Sequence, residues 1–363
     1  MECLERPIWT DYSREELEKL RIGVPNEGMK EQVLKNWDKV AKPLDGMGRF
    51  EGITAKIGAI LNSDTIDISK KAVVIMCADN GIVEEGISQS KQEVTLAVAR
   101  MMGQGLSSVC RMAKTTGADT IPVDIGLNFT GELPGVISKS VRCGTRNFHK
   151  EPAMTEQEVI KAIAVGIEMV AYCKEAGYKI LATGEAGIGN TTTSSAVATA
   201  LLQCDASEVT GRGAGLSDAG LVHKRQIIEE AIQKYDLYHA EPFVVLQTVG
   251  GLDIAGLVGI CIGGAMYGIP IVLDGVISLS AALLAERMFP GTKEFYIPSH
   301  IGKEPAIKKI AEELNLEPVI DGKLALGEGT GAVMMFPLLD MALSVYQNRT
   351  TFEDIKLEQY TRV

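Results

Sequence analysis

Short β-rich apolar runs with no polar–apolar alternation recur along this chain, and each breaks off near glycine or aspartate before a longer helical stretch. Ala72–Ala78 runs into Asp79-Asn80-Gly81, Thr120–Ile125 into Gly126, Lys179–Thr183 into Gly184, and Ile269–Leu273 into Asp274-Gly275; Glu294–Ile297 reads as a further strand. A strand without alternation is covered on both faces, which is the condition of a parallel sheet. Between the runs lie helical stretches: Gln92–Ala113, a segment capped by Thr155-x-x-Glu158, Asn190–Gln203, Ser217–Gln233, Ile254–Tyr267 and Ser278–Met288. Strand–helix alternation with right-handed crossovers predicts a large doubly wound α/β domain. The N-terminal part is helical instead. Ser13-x-x-Glu16 opens Arg14–Leu20, Lys30–Lys42 carries Val33, Leu34, Trp37 and Val40 on one stripe, and Phe50–Leu61 follows. These helices are expected to pack beside the sheet as a smaller element.

Ile254 to Leu273 holds twenty residues without a charge, long enough to cross a bilayer. Its glycines and Pro270 fit a buried helix followed by a strand better. Gly251, Ala255, Gly259 and Gly263 fall four apart on one helical face, where another backbone can approach, within the fold or across a dimer. No membrane span is expected. Across 363 residues, 36 basic side chains stand against 47 acidic ones, a net charge of −11. Nucleic acid and anionic membranes are therefore poor partners, and any bound anion must be held by local groups. The seven cysteines, Cys3, Cys77, Cys110, Cys143, Cys173, Cys204 and Cys261, are odd in number and contain no CxxC pair. Met1–Arg6 shows no basic region followed by an apolar one. Buried thiols in a cytoplasmic protein follow from that pattern.

Ligands of open parallel sheets sit beyond the carboxyl ends of the strands, and four such ends are rich in glycine and polar residues. Gly184-Glu185-Ala186-Gly187-Ile188-Gly189-Asn190-Thr191 enters a helix whose free N–H groups suit a phosphate, although a tight turn with threonine caps explains the glycines too. Glu185 inside it would repel phosphate unless it faces another part of the ligand. In Gly327-Glu328-Gly329 the glutamate is expected to be partly desolvated, hence a better proton acceptor, or else to serve a helix N-terminus. Asp274 of Leu273-Asp274-Gly275 suits ribose hydroxyls or an N-cap equally. Asp79-Asn80-Gly81, with Ser88 and Ser90 after it, reads nearly as well as turn chemistry. Lys224, on a helix following Gly211-Arg212-Gly213, would ordinarily be solvated surface, but a glycine-rich approach makes it a candidate phosphate partner. His149, His223, His239 and His300 are dispersed, so no metal centre is expected. The absence of G-x-S-x-G removes a serine hydrolase, and the absence of G-x-G-x-x-G argues against a nicotinamide-dinucleotide oxidoreductase. A non-catalytic nucleotide-binding regulator would have no use for a glycine-flanked Glu328.

Taken together, these segments resemble the nicotinate-nucleotide–dimethylbenzimidazole phosphoribosyltransferase family. The likeness runs from about Lys42 to Glu353 and includes Lys42-Pro43, Gly48-Arg49-Phe50-Glu51, Cys77-Ala78-Asp79, Gly184–Thr192, Val249-Gly250-Gly251-Leu252-Asp253, Leu273-Asp274-Gly275, Pro298-Ser299-His300 and Gly327–Ala332. The resemblance implies a Rossmann-like, mainly parallel sheet with a smaller helical domain. Residues 1–62 and 336–363 would contribute to the small domain and residues 63–335 would form the catalytic one. It implies transfer of ribose 5-phosphate from nicotinate mononucleotide to 5,6-dimethylbenzimidazole, giving α-ribazole 5′-phosphate and nicotinate, by a homodimer with no metal or other cofactor. Glu328 would be the catalytic base with Glu185 as a second acid. Gly187, Gly189, Asn190 and Thr191 would hold the phosphate, Lys224 would supply charge and Ser299 a donor. Asp274 and Gly275 would lie near the ribose, and Ser90 in the base pocket. Asn80 stands where many members carry histidine, and other benzimidazoles, purines or phenolics remain open as the base.

Overall fold

A computed structural model describes residues 12–362; Cys3 and the residues read for a leader lie outside them. Three helices come first: α1 (Arg14–Glu18), α2 (Glu27–Asp38) and α3 (Arg49–Leu61). Ser13 and Glu16 form the expected capping box, and α2, capped by Asn26, begins three residues earlier than the apolar stripe suggested and ends at Asp38, leaving Val40 outside it in a bridge to Thr351. The chain then enters β1 (Lys71–Ala78), α4 (Glu93–Gly103), α5 (Ser108–Thr116), β2 (Ala118–Gly126), β3 (Ile137–Ser138) and α6 (Glu156–Glu175). Next come β4 (Ile180–Ala186), α7 (Asn190–Leu202), α8 (Ala206–Val209), α9 (Asp218–Lys234), α10 (Pro242–Val249) and α11 (Leu252–Tyr267). The last stretch holds β5 (Ile271–Leu273), α12 (Val276–Met288), β6 (Tyr296–Pro298), β7 (His300–Gly302), α13 (Ala306–Glu313), β8 (Ile320–Leu324) and α14 (Thr330–Gln347).

Six strands form one sheet in the order β3-β2-β1-β4-β5-β6, every pair parallel. All eight residues of β1 are buried. Val74 and Met76 point into one apolar layer, Val73, Ile75 and Cys77 into the other, which is why no alternation marks the strand. Among the described residues no helix is long and apolar enough to cross a membrane. The uncharged stretch is α11 and β5, and the glycine face of α11 lies against α6. A Cβ on Gly259 would come within 2.0 Å of the Ile163 carbonyl oxygen, so the close approach serves the fold itself.

Two sequence expectations need correction. The apolar pattern over Gln92–Ala113 is not one helix, because it breaks between α4 and α5. There Gly103 packs on the backbone of Pro134, a contact that a side chain would block (2.2 Å to its oxygen), and Ser107 caps a new helix. Glu294 and Phe295 belong to a 3-10 turn, and the strand begins at Tyr296. A separate two-stranded parallel sheet, β7-β8, was not anticipated. Helix α14 crosses the expected junction at residues 335 and 336 without interruption. Near its far end the Tyr346 ring meets Trp37 of α2 at 5.2 Å, so α14 reaches from the sheet to the N-terminal helices.

Candidate active site

The sheet order reverses between β1 and β4, the point at which an open parallel sheet leaves a crevice beyond its strand ends. A cleft of about 210 Å³ opens there, walled by the loop after β4, the ends of β5 and β8, and one face of α4. Gly187, Gly189, Asn190, Thr191, Asp274, Gly275, Glu185 and Glu328 all line it. No side chain caps α7, whose first turn faces the cleft, and Gly189 before it adopts φ +95°. Thr95 of α4 fixes the loop by accepting the Ile188 N–H at 3.1 Å.

Lys224 is not a solvated lysine. It is 0% exposed, and its Nζ donates to Thr191 Oγ1 at 2.9 Å. Burial pushes its pKa down to about 8, against the opposing pull of Glu304. Glu304 itself accepts the Gly213 N–H at 2.9 Å through Oε1, while its Oε2 is buried with no hydrogen-bond partner among the described residues. Charge of both signs therefore meets at the end of the cleft beside α7.

At the opposite wall, Glu328 is half-buried and holds φ +64°, uncommon for a residue with a side chain. Its Oε2 accepts the Val109 N–H at 3.1 Å, in the first turn of α5, so the helix break after Gly103 creates a contact to the glutamate. Oε1 makes no hydrogen bond among the described residues. Two buried acids flank the backbone of this turn. Glu185 packs its Oε1 against Gly327, and Asp274 accepts the N–H groups of Gly329, Gly331 and Ala332 at 3.2, 2.9 and 3.1 Å. Asp274 thus meets the first turn of α14 from another strand, and His300 Nδ1 stands 3.9 Å from it. Burial, reinforced by the charges of Asp253 and Asp274, pushes the Glu185 pKa up to about 8, with the Asn190 hydrogen bond opposing.

Ser299, Ser90 and Lys224 do not line the cleft, Lys224 reaching it only through Thr191. The Ser299 hydroxyl is buried behind it, 2.5 Å from the Leu273 carbonyl and 3.0 Å from His300 Nδ1. The Ser90 N–H donates to Ser88 Oγ, and Ser88 is the serine on the wall, near Val94 and Val98. Sequence reasoning passed over Glu304 and gave Asp253 no role. The glycine pair before Asp253 was its only signal, and Glu304 had none. Among the described residues, no group of three or more His, Cys, Asp or Glu side chains could hold a metal ion.

A sequence-family model described as Phosphoribosyltransferase matches residues 22–357. The chain is 47% identical to the nicotinate-nucleotide–dimethylbenzimidazole phosphoribosyltransferase of Acetivibrio thermocellus, over 91% of this chain and 94% of that one. The protein of the same name from Clostridium acetobutylicum is 44% identical, over 93% and 96%. A crystal structure of the nicotinate-nucleotide–dimethylbenzimidazole phosphoribosyltransferase of Thermus thermophilus superposes with a TM-score of 0.86 at 32% identity, covering 92% of this chain and all of that one.

Proposed function

The chain belongs to the nicotinate-nucleotide–dimethylbenzimidazole phosphoribosyltransferase family, and on that premise we propose that its cleft transfers ribose 5-phosphate from nicotinate mononucleotide to 5,6-dimethylbenzimidazole. The observation that carries this reading is Glu328, a carboxylate on the cleft wall with one oxygen fixed by Val109 and the other unengaged. A ring nitrogen of the neutral base attacks the ribose C1′, and the bond from C1′ to the nicotinate nitrogen breaks. That bond's electron pair returns to the pyridinium nitrogen, so nicotinate leaves with a neutral ring and needs no acid. The proton on the base's other nitrogen passes to Glu328 Oε1, which both aims the base and removes its positive charge. Attack opposite the leaving group converts the β-nucleotide into an α-ribazole 5′-phosphate.

The phosphate end of the nucleotide fits the turn Gly187–Thr191 and the first turn of α7, where N–H groups and the helix dipole favour an anion. Lys224 supplies the charge through its contact with Thr191. Val94, Val98 and Leu326 give the opposite part of the cleft an apolar lining suited to an aromatic base. A homodimer is supported by α14, where Met334, Met341 and Val345 lie on one face with exposures of 37%, 58% and 40%. The cytoplasm is supported by the six described cysteines, all free and four of them buried. The test is a competition assay with nicotinate mononucleotide and a mixture of benzimidazoles, purines and phenolics, the products resolved by mass. Ribazole phosphate should dominate; release of no nicotinate with any base would overturn the reading, and sedimentation at 39.0 kDa would overturn the dimer.

A further inference from the structure

Asp253, at the start of α11, is 0% exposed and makes no ion pair with a Lys, Arg or His side chain among the described residues. A buried carboxylate without a cation is costly, and the space for this one is shaped around it. A Cβ on Gly187 would lie 2.6 Å from Asp253 Oδ2, and one on Gly251 would lie 2.4 Å from Oδ1. Oδ1 accepts the N–H of Ile254 at 3.0 Å, an ordinary contact of a helix first turn. Oδ2 does something else: it accepts Asn190 Nδ2 at 3.0 Å, and the same amide nitrogen also donates to Glu185 Oε2. Both hydrogens of that NH₂ group thus point at acids. A flipped amide would turn its carbonyl oxygen toward the Asp253 carboxylate, so Asp253 fixes which way Asn190 faces. The line of contacts continues from Glu185, whose Oε1 packs so closely against Gly327 that a Cβ there would lie 2.6 Å from it, next to the Glu328 backbone.

We propose that Asp253 is a positioning residue for the transfer: through Asn190 it orients Glu185, and through Glu185 it holds the backbone turn that aims the Glu328 carboxylate at the incoming base. The inference rests on the proposed function for the identity of that base. A non-glycine residue at φ +64° persists only where its surroundings over-determine it, and this buried line supplies one side of that constraint while Asp274 supplies the other. Groups facing Asp253 are the Asn190 and Asn80 amides and the Glu185 carboxyl, with the Cys77 thiol nearby.

Asp253→Asn keeps the size and removes the charge. A misplacement of this kind costs up to about 100-fold, so kcat should fall about 10- to 100-fold. The KM for nicotinate mononucleotide should stay within about 3-fold, because the anion is held by the backbone N–H groups of the turn and of the α7 entry, not by the Asn190 amide that Asp253 orients. Thermal stability should hold or rise, since a buried charge has gone. In a Glu328→Gln background the same substitution should change the residual rate by less than about 2-fold, because its route runs through Glu328. Additive losses in the double variant, or a fall in stability that accounts for the lost activity, would overturn the proposal. Should Asp253→Asn not fold, Asn190→Ala interrupts the same line and must show the same coupling to Glu328. A crystal structure of either variant gives a readout independent of turnover: the Glu328 turn should shift or lose order, and an unmoved turn refutes the positioning role. Wild-type protein that releases no nicotinate overturns the proposed function, whereas an unmoved turn overturns only this inference.

Discussion

Replacing Lys224 by methionine separates phosphate binding from chemistry. The ammonium is fully buried behind the cleft wall and donates to Thr191 Oγ1, so it acts on a bound phosphate through its charge and through that polarised hydroxyl. A hydrogen bond to a charged group is worth about 1.5–3 kcal/mol, which corresponds to about 10- to 150-fold in affinity. Lys224→Met should therefore raise the KM for nicotinate mononucleotide by roughly that factor, with kcat changed by less than about 3-fold. The unliganded variant should be no less stable, because methionine fills the space without the cost of desolvating an ammonium. The wild-type pH dependence follows from the same burial. The free lysine loses its proton near pH 8, so nucleotide affinity should weaken about tenfold per pH unit above that point. The methionine variant should show no such limb. The assay is initial-rate kinetics with nucleotide varied at saturating base, from about pH 6.5 to about pH 9.5, a window that brackets the lysine titration. An unchanged KM, or a loss confined to kcat, would refute a phosphate role for this lysine.

Other outcomes follow from the carboxylates beneath the cleft. Asp274→Ala leaves three N–H groups of the α14 entry without their acceptor, and should lower stability to urea by about 2–4 kcal/mol and slow turnover by releasing the Glu328 turn. A variant of unchanged stability would show that those contacts carry little. Burial raises Glu185 to about 8 and Asp253 to about 6, so over this range the native state holds protons that the unfolded chain has released. Stability of the unliganded protein should therefore fall as pH rises from about 5 to 8, and Glu185→Gln should flatten the slope. A urea midpoint that climbs with pH over that interval would contradict those burials.

The main sheet was legible because its strands are covered on both faces and show as unbroken apolar runs, as in Ala72–Ala78. Glycine-rich strand ends were legible for a related reason: backbone that must turn sharply or admit a neighbour leaves a compositional mark. The β7-β8 sheet left none, since Ile320–Leu324 is half-exposed and carries Asp321, Gly322 and Lys323. The break after Gly103 depends on Pro134, about thirty residues away, and periodicity within one segment cannot register such a partner. Lys224 reads as surface on its own helix and becomes buried only when α9 is laid against α7. Asp274 stood equally for a ribose ligand or a cap, and its three backbone contacts belong to a helix 55 residues further on, visible only once β5 and α14 meet.

The transfer turns on the proton that leaves the base, and Glu328→Gln tests its acceptor most directly: the amide keeps the size of the side chain and cannot accept that proton. With circular dichroism confirming an intact fold, kcat for ribazole phosphate formation should fall by about 10²–10⁴ while nicotinate mononucleotide still binds. Turnover near that of the unaltered enzyme would contradict it.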